Sequence, residues 1–250
     1  MNTADSKYRS LNKSISIVMP AYNEEQNIEK TVKKCAHLLD SLAVKGEVVV
    51  TDDGSVDRTK EILSGLKGKM ANLVVVEHKE NKGYGASLND AIIASKGDLI
   101  VSIDSDGQFD IDELPLLLDR YMEGHPIVAG FRKEKKDSFF KVFADRCMNL
   151  MVNMMFGLRL RDSNCAFKLY ERDIIKPVKV ESMGFSAPTE IMVKLKTNGH
   201  SFAEVGITHS AREKGKSALK LVGTSLNFFT FLFYLKLKQG LYRKRVINNF

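Results

Sequence analysis

The chain is 250 residues long, 44% hydrophobic and 28% charged, values that exclude a disordered or fibrous protein and fit one large core or two small ones. No long Pro, Gly or Ser linker divides it, which favours one core. The net charge of +7, with much of the excess from Arg132 onward, suits phosphates or an anionic membrane surface; the basic residues lack the interleaved aromatics of a nucleic-acid module.

The first thirteen residues, with Asp5, Lys7, Arg9 and Lys13, form a polar tail without the apolar core of a signal or anchor, so a cytosolic location is expected. Three cysteines, Cys35, Cys147 and Cys165, are odd in number and lack metal-ligand spacing, and they read as reduced and structural. Ile15 to Met19 is a buried-type strand ending at Pro20, and Ala21-Tyr22-Asn23-Glu24-Glu25 turns into a helix expected from near Asn23 to about Val44. Ile28, Val32, Cys35, Leu38 and Leu39 recur there at helical spacing. Glu47 to Thr51 is a second strand that stops in Asp52-Asp53-Gly54-Ser55, a turn in which Ser55 or Asp57 can cap a helix over Ile62 to Leu66. Leu73 to Glu77 is a third strand, after which Asn81-Lys82-Gly83-Tyr84-Gly85-Ala86 opens a helix over Ser87 to Ser95. Glycines before a helix let backbone amides approach an anion, and Lys82 adds a positive charge; neither a dinucleotide fingerprint nor a Walker loop is present.

The fourth strand, Leu99 to Ile103, runs straight into Asp104-Ser105-Asp106-Gly107-Gln108. Carboxylates two residues apart after a strand point to the same side at its carboxyl end, where open α/β sheets bind ligands. Two such groups stay ionised together most easily beside a divalent cation; Gln108 adds a neutral oxygen, and hard oxygen donors suit Mg²⁺ or Mn²⁺. On its own the stretch also reads as a solvated acidic turn. Strands alternating with helices at this spacing predict a doubly wound, mostly parallel α/β sheet, with the strand ends at Tyr22, Asp53 and Asp104 lining one crevice.

Taken in order, Pro-Ala-Tyr-Asn-Glu, Asp-Asp-Gly-Ser, Asn-Lys-Gly-x-Gly and Asp-x-Asp-Gly-Gln resemble the family 2 glycosyltransferases of the GT-A fold, over roughly residues 14 to 217. Within that family the chain looks most like the dolichyl or polyprenyl phosphate mannose synthases and their glucose-transferring relatives. The resemblance implies a catalytic domain over 14–217 followed by a membrane-interface helical segment over 218–250. It implies that Pro20, Ala21, Tyr22, Glu24, Asp52, Asp53, Lys82, Asp104 and Ser105 meet the nucleotide, and that Asp104, Asp106 and Gln108 hold Mg²⁺ or Mn²⁺. It also implies that Arg132, Arg146, Arg212, Lys214 and Ser217 grip an acceptor phosphate, with Asp106, Arg132 and Arg212 closest to the chemistry.

The expected substrates are then a nucleotide sugar, GDP-mannose or a UDP-sugar, and polyprenyl or dolichyl phosphate at the cytoplasmic face of a membrane, with a membrane partner subunit as a further expectation. Mannose is the sugar the resemblance implies, with glucose or N-acetylhexosamine as alternatives: Asp162-Ser163-Asn164-Cys165-Ala166-Phe167-Lys168 is similar to the family's Asp-x-x-Ser-Gly-Phe segment beside the sugar, but Ala166 stands where glycine is usual.

Two helices carry the membrane expectation. Phe139 to Phe156 is apolar around most of its circumference, so it is either deeply buried or dips into lipid headgroups. The second contains the fifteen uncharged residues between Lys220 and Lys236, which make about 22 Å of helix at ~1.5 Å per residue. That is short of a ~30 Å hydrocarbon core, so an interfacial helix is expected, with Phe228, Phe229, Phe231, Phe233 and Tyr234 toward lipid. Transfer to a sugar hydroxyl is the enzymatic alternative; it needs a carboxylate base, for which Glu190, in a helix over Phe185 to Lys196, is the candidate. A sugar-nucleotide-binding membrane subunit is the non-enzymatic one.

Overall fold

A computed structural model describes residues 7–134, 139–211 and 221–250, with backbone alone at 139–141 and 221–226. The described residues form a seven-stranded sheet of order β3-β2-β1-β4-β6-β5-β7, with β1 Ile15–Ala21, β2 Gly46–Asp52, β3 Leu73–Glu77, β4 Leu99–Ser102, β5 Ile127–Arg132, β6 Lys168–Glu171 and β7 Ala203–Ile207. β6 alone runs antiparallel to its neighbours. The helices are α1 Ile28–Ser41, α2 Thr59–Lys67, α3 Tyr84–Ala94, α4 Leu114–Met122, α5 Phe139–Phe156, the single turn α6 Arg172–Ile175, α7 Ala187–Thr197 and α8 Leu221–Arg243.

Every residue of β1 is buried, as a central parallel strand covered on both faces requires. Its side chains alternate: Ile15, Ile17 and Met19 join Val32, Leu39, Leu63 and Leu117 in one core, and Val18 joins Leu88, Ile92, Ile191 and Leu235 in the other. The helices therefore divide between two layers, α1, α2 and α4 on one face and α3, α7 and α8 on the other.

The structure departs from the expected elements in four respects. First, α1 starts at Ile28 instead of Asn23. Asn23 has φ +55°, its N–H donates to Ser55 Oγ at 3.0 Å, and Glu24 N–H donates to Thr59 Oγ1 at 2.8 Å, so side chains of the next turn hold this stretch out of the helix. Second, α2 and α3 each start three residues early, at Thr59 instead of Ile62 and at Tyr84 instead of Ser87. Third, β6 has no counterpart in the expectation. Fourth, the amino-terminal tail is packed where it is described: Tyr8 is buried and its hydroxyl donates to Asp119 Oδ1 at 2.8 Å.

The carboxyl-terminal helix is likewise part of the molecule's core. Phe228, Leu232, Leu235 and Gln239 are buried, while Phe233, Tyr234 and Leu237 are exposed. Phe228 thus faces protein, contrary to the expectation that it meets lipid. No helix among the described residues is long and apolar enough to cross a membrane.

Candidate active site

Sheet register brings the singled-out strand ends together. β1 lies between β2 and β4, with Ala21 opposite Asp52 and Val18 opposite Ser102, and Ile103 N–H extends the pairing to the Val18 carbonyl at 3.1 Å. Tyr22, Asp53 and Asp104 therefore leave the sheet from adjacent strands at one edge. Lys168, opposite both Ser102 and Ala129, and Arg132, at the end of β5, reach the same edge.

Asp104 is the strained member. Burial and the neighbouring Asp106 push its carboxyl up to about 7, against the Tyr84 hydroxyl, which donates to Oδ1 at 2.8 Å, and the charges of Arg132 and Lys168. A hard divalent cation relieves that repulsion, so the pair fits Mg²⁺ or Mn²⁺ as an open site of two carboxylates. Among the described residues no cluster of three or more His, Cys, Asp and Glu completes a closed metal site. Gln108 donates its side-chain amide to the Ser210 carbonyl at 2.9 Å, and Ser210 N–H returns a bond to the Gln108 carbonyl at 2.8 Å. That leaves the Gln108 Oε1 atom as its remaining donor to a cation, and it ties the segment leading to Arg212 against the acidic stretch.

Several expected nucleotide contacts have partners inside the protein. Ser105 Oγ donates to the Pro20 carbonyl at 2.7 Å, locking β4's exit onto β1. Asp52 accepts Ser55 N–H at 3.1 Å. Glu24 accepts from Asn27 Nδ2 at 2.9 Å. Asp53, buried, accepts Lys82 N–H at 2.8 Å on Oδ1 and Gly83 N–H at 2.9 Å on Oδ2. The anion that the glycine loop's amides approach is thus the chain's own Asp53. The glycines answer a second need: a Cβ on Gly83 or Gly85 would lie 2.1 Å from the Met183 carbonyl oxygen or 1.7 Å from that of Ser182. Tyr22 and the Lys82 side chain are exposed at the edge.

The residues expected to grip an acceptor phosphate divide. Arg132 donates from Nε and Nη2 to both oxygens of buried Asp162 at 2.6 and 3.0 Å, and from Nη2 to Asp145 at 3.0 Å. These pairs hold it charged, and its Nη1 group is what it can offer a phosphate. Arg146, next along α5, is exposed. Arg212, Lys214 and Ser217 lie outside the described residues.

Glu190 is wholly buried, accepts N–H bonds from Glu181 and Ser182 at 2.9 and 2.8 Å, and pairs with Lys194 at 2.8 Å. Sequence reasoning missed three groups. Lys168 is fully buried, donates to the carbonyls of Ser163 and Cys165, and has its pKa lowered mainly by that burial. Tyr84 and His78 are the others. None carries a spacing signal: Tyr84 and His78 are defined by contacts with distant segments, and the bonds of Lys168 to nearby carbonyls follow no period; the alternation of Phe167 and Leu169 against Tyr170 is the one hint that Lys168 opens a strand.

A family model described as glycosyl transferase family 2 matches residues 16–178. The undecaprenyl-phosphate 4-deoxy-4-formamido-L-arabinose transferase of Pseudomonas aeruginosa strain LESB58 is 29% identical over 222 residues, 86% of this chain and 64% of the relative. Its counterpart in Edwardsiella ictaluri is 29% identical over 225 residues, 87% of this chain and 67% of that one. The chain therefore spans just under two thirds of the length of the Pseudomonas relative. Among solved structures, Mycobacterium tuberculosis glucosyl-3-phosphoglycerate synthase in complex with Mn²⁺, UDP and phosphoglyceric acid superposes with a TM-score of 0.74 at 20% identity, covering 94% of this chain and 84% of that one. The same enzyme with UDP gives 0.73 at 20% identity, covering 94% and 85%.

Proposed function

The chain belongs to glycosyl transferase family 2, and from that premise we propose that it moves one sugar from a nucleotide diphosphate donor to a polyprenyl phosphate, with inversion, at a membrane surface. The observation that carries the reading is the state of Glu190. A hydroxyl acceptor needs a base, and the carboxylate expected to serve is buried, doubly hydrogen-bonded and paired with Lys194. A phosphate monoester needs none, because its oxygen is already charged at neutral pH. The names of the undecaprenyl-phosphate relatives support the same acceptor class.

In this reading an acceptor phosphate oxygen bonds to the anomeric carbon as the bond from that carbon to the donor diphosphate breaks, and the diphosphate leaves with the electron pair. No proton changes place. Asp104 and Asp106 would hold Mg²⁺ or Mn²⁺, which when bound supplies positive charge against the departing diphosphate. The Mn²⁺ and Mg²⁺ in structures of the mycobacterial neighbour support that choice. Tyr22 and Lys82 face the donor, while Arg132 holds Asp162 and its segment in place and turns Nη1 to the acceptor. Arg146, Arg212, Lys214 and Ser217 complete the phosphate contacts. Mannose is the sugar expected from the sequence, and 4-deoxy-4-formamido-L-arabinose is the one named for the relatives.

Exposed Phe143, Leu150 and Met154 on α5, and Phe233, Leu237 and Leu241 on α8, support a peripheral seat on lipid. Exposed Arg243, Lys244 and Arg245 complement anionic headgroups.

The test replaces Glu190→Gln together with Lys194→Met, so that no buried charge is left unpaired by the change within this pair. Turnover of polyprenyl phosphate at saturating donor is expected within about tenfold of the parent. A loss of the ~10²–10⁴-fold that a general base contributes, in a variant with an intact fold by circular dichroism, would overturn the reading.

A further inference from the structure

His78 takes no part in the transfer just described, yet its side chain is only 2% exposed and each ring nitrogen faces a carboxylate oxygen. Nδ1 lies 2.7 Å from Asp53 Oδ1, and Nε2 lies 2.9 Å from Asp90 Oδ2. Asp53 follows β2, His78 follows β3, and Asp90 sits on α3, so one imidazole joins two strand ends to the helix beside them. Asp53 carries the connection onward through its bonds to Lys82 and Gly83 N–H. Those bonds hold Gly83 at φ +94°, the left-handed conformation from which α3 begins at the very next residue, Tyr84. Tyr84 is then fixed twice, by its ring against Phe185 at 5.2 Å between centroids and by its hydroxyl on Asp104 Oδ1. From Asp90 to Asp104 every link is one hydrogen bond or one peptide unit.

We propose that His78 is a positioning residue for Asp104, clamping Asp53 and α3 so that the Tyr84 hydroxyl holds the Asp104 carboxylate beside Asp106. This rests on the reading of Asp104 as a metal-holding residue. The physical need is specific: Asp106 repels Asp104, and a side chain with two rotatable bonds turns away from a like charge unless a donor holds it. A hydroxyl can do so only if the helix bearing it does not rotate. α3 carries both Tyr84 and Asp90, and the His78–Asp90 contact is placed to stop that rotation.

The experiment uses the full chain and reads Mn²⁺ binding in the presence of UDP from the paramagnetic resonance signal of unbound Mn²⁺, with no turnover required. Tyr84→Phe is expected to weaken Mn²⁺ about tenfold, the size of one hydrogen bond to a charged group. Asp90→Ala and His78→Gln should each weaken it several-fold, and Asp90→Asn, whose side-chain amide can bond the ring nitrogen as either donor or acceptor, should restore most of the loss. The double variant Asp90→Ala with Tyr84→Phe should bind no more weakly than Tyr84→Phe alone, because once the hydroxyl is gone the clamp has nothing to position. Additive losses in that cycle, or unchanged binding in Tyr84→Phe while Asp104→Ala abolishes it, would overturn the proposal. Should His78→Gln fail to fold, the Asp90 and Tyr84 cycle decides alone. If Asp104→Ala binds Mn²⁺ like the parent, the metal-site reading falls and the positioning role falls with it.

Discussion

Asp104 shows how a single residue can carry opposite demands. With its carboxyl pushed up to about 7, against an unfolded value of about 3.9, the metal-free native state holds a proton that the unfolded chain has released. Stability from this group is therefore full below about pH 4 and lost as pH rises through about 7. A divalent cation favours the ionised form and displaces that proton, so its binding should strengthen over the same window. The expected outcome is a larger rise in melting temperature on adding Mn²⁺ at pH 7.5 than at pH 5, measured by calorimetry, with the difference lost in Asp104→Asn. Asp104 and Asp106 were legible in the sequence because two carboxylates close an apolar strand. Lys168, Tyr84 and His78 were not: a lone lysine, tyrosine or histidine has no period. What marks each is through-space, a buried ammonium near Asp104, a hydroxyl on it, and an imidazole between Asp53 and Asp90.

At the scale of elements, the sequence pattern marks Gly83 and Gly85 as an anion cradle, and the structure makes them the seat of another loop. The carbonyls of Ser182 and Met183 lie against them, and Gly85 N–H donates to Met183 O at 3.1 Å. Gly85→Ala should therefore lower stability by roughly 1–3 kcal/mol, the cost of overpacking, because backbone must move. Gly184→Ala in the same loop, with open space around it, should change stability by less than about 1 kcal/mol; urea unfolding of the two variants makes the comparison. β1 through β4 and α5 were legible because each is an apolar run or a long apolar helix bounded by turn residues. β6 was hidden by opening on a lysine and closing on a glutamate, and the delayed start of α1 depends on hydrogen bonds to Ser55 and Thr59, which no local pattern reports.

For the molecule as a whole, the sheet order sends the ends of β1, β2, β4 and β5 and the start of β6 to one edge, so groups from Tyr22 to Lys168 meet there although the chain separates them widely. The alternation of strands and helices made that edge legible in advance; the antiparallel β6 that brings in Lys168 was not. The helices α5 and α8 add the surface that would meet lipid, with apolar side chains outside and the second core within. The most direct measurement is product formation with detergent-solubilised polyprenyl phosphate and Mn²⁺, offering GDP-mannose, UDP-glucose, UDP-N-acetylglucosamine and the UDP ester of 4-deoxy-4-formamido-L-arabinose in parallel. Polyprenol serves as the hydroxyl acceptor and Asp106→Ala as the control. One donor should give a lipid-phosphate sugar, only with the phosphorylated lipid, only with metal, and not in the variant. Transfer to polyprenol as fast as to its phosphate, or nucleotide binding without transfer to the phosphate from any of these donors, would contradict the account.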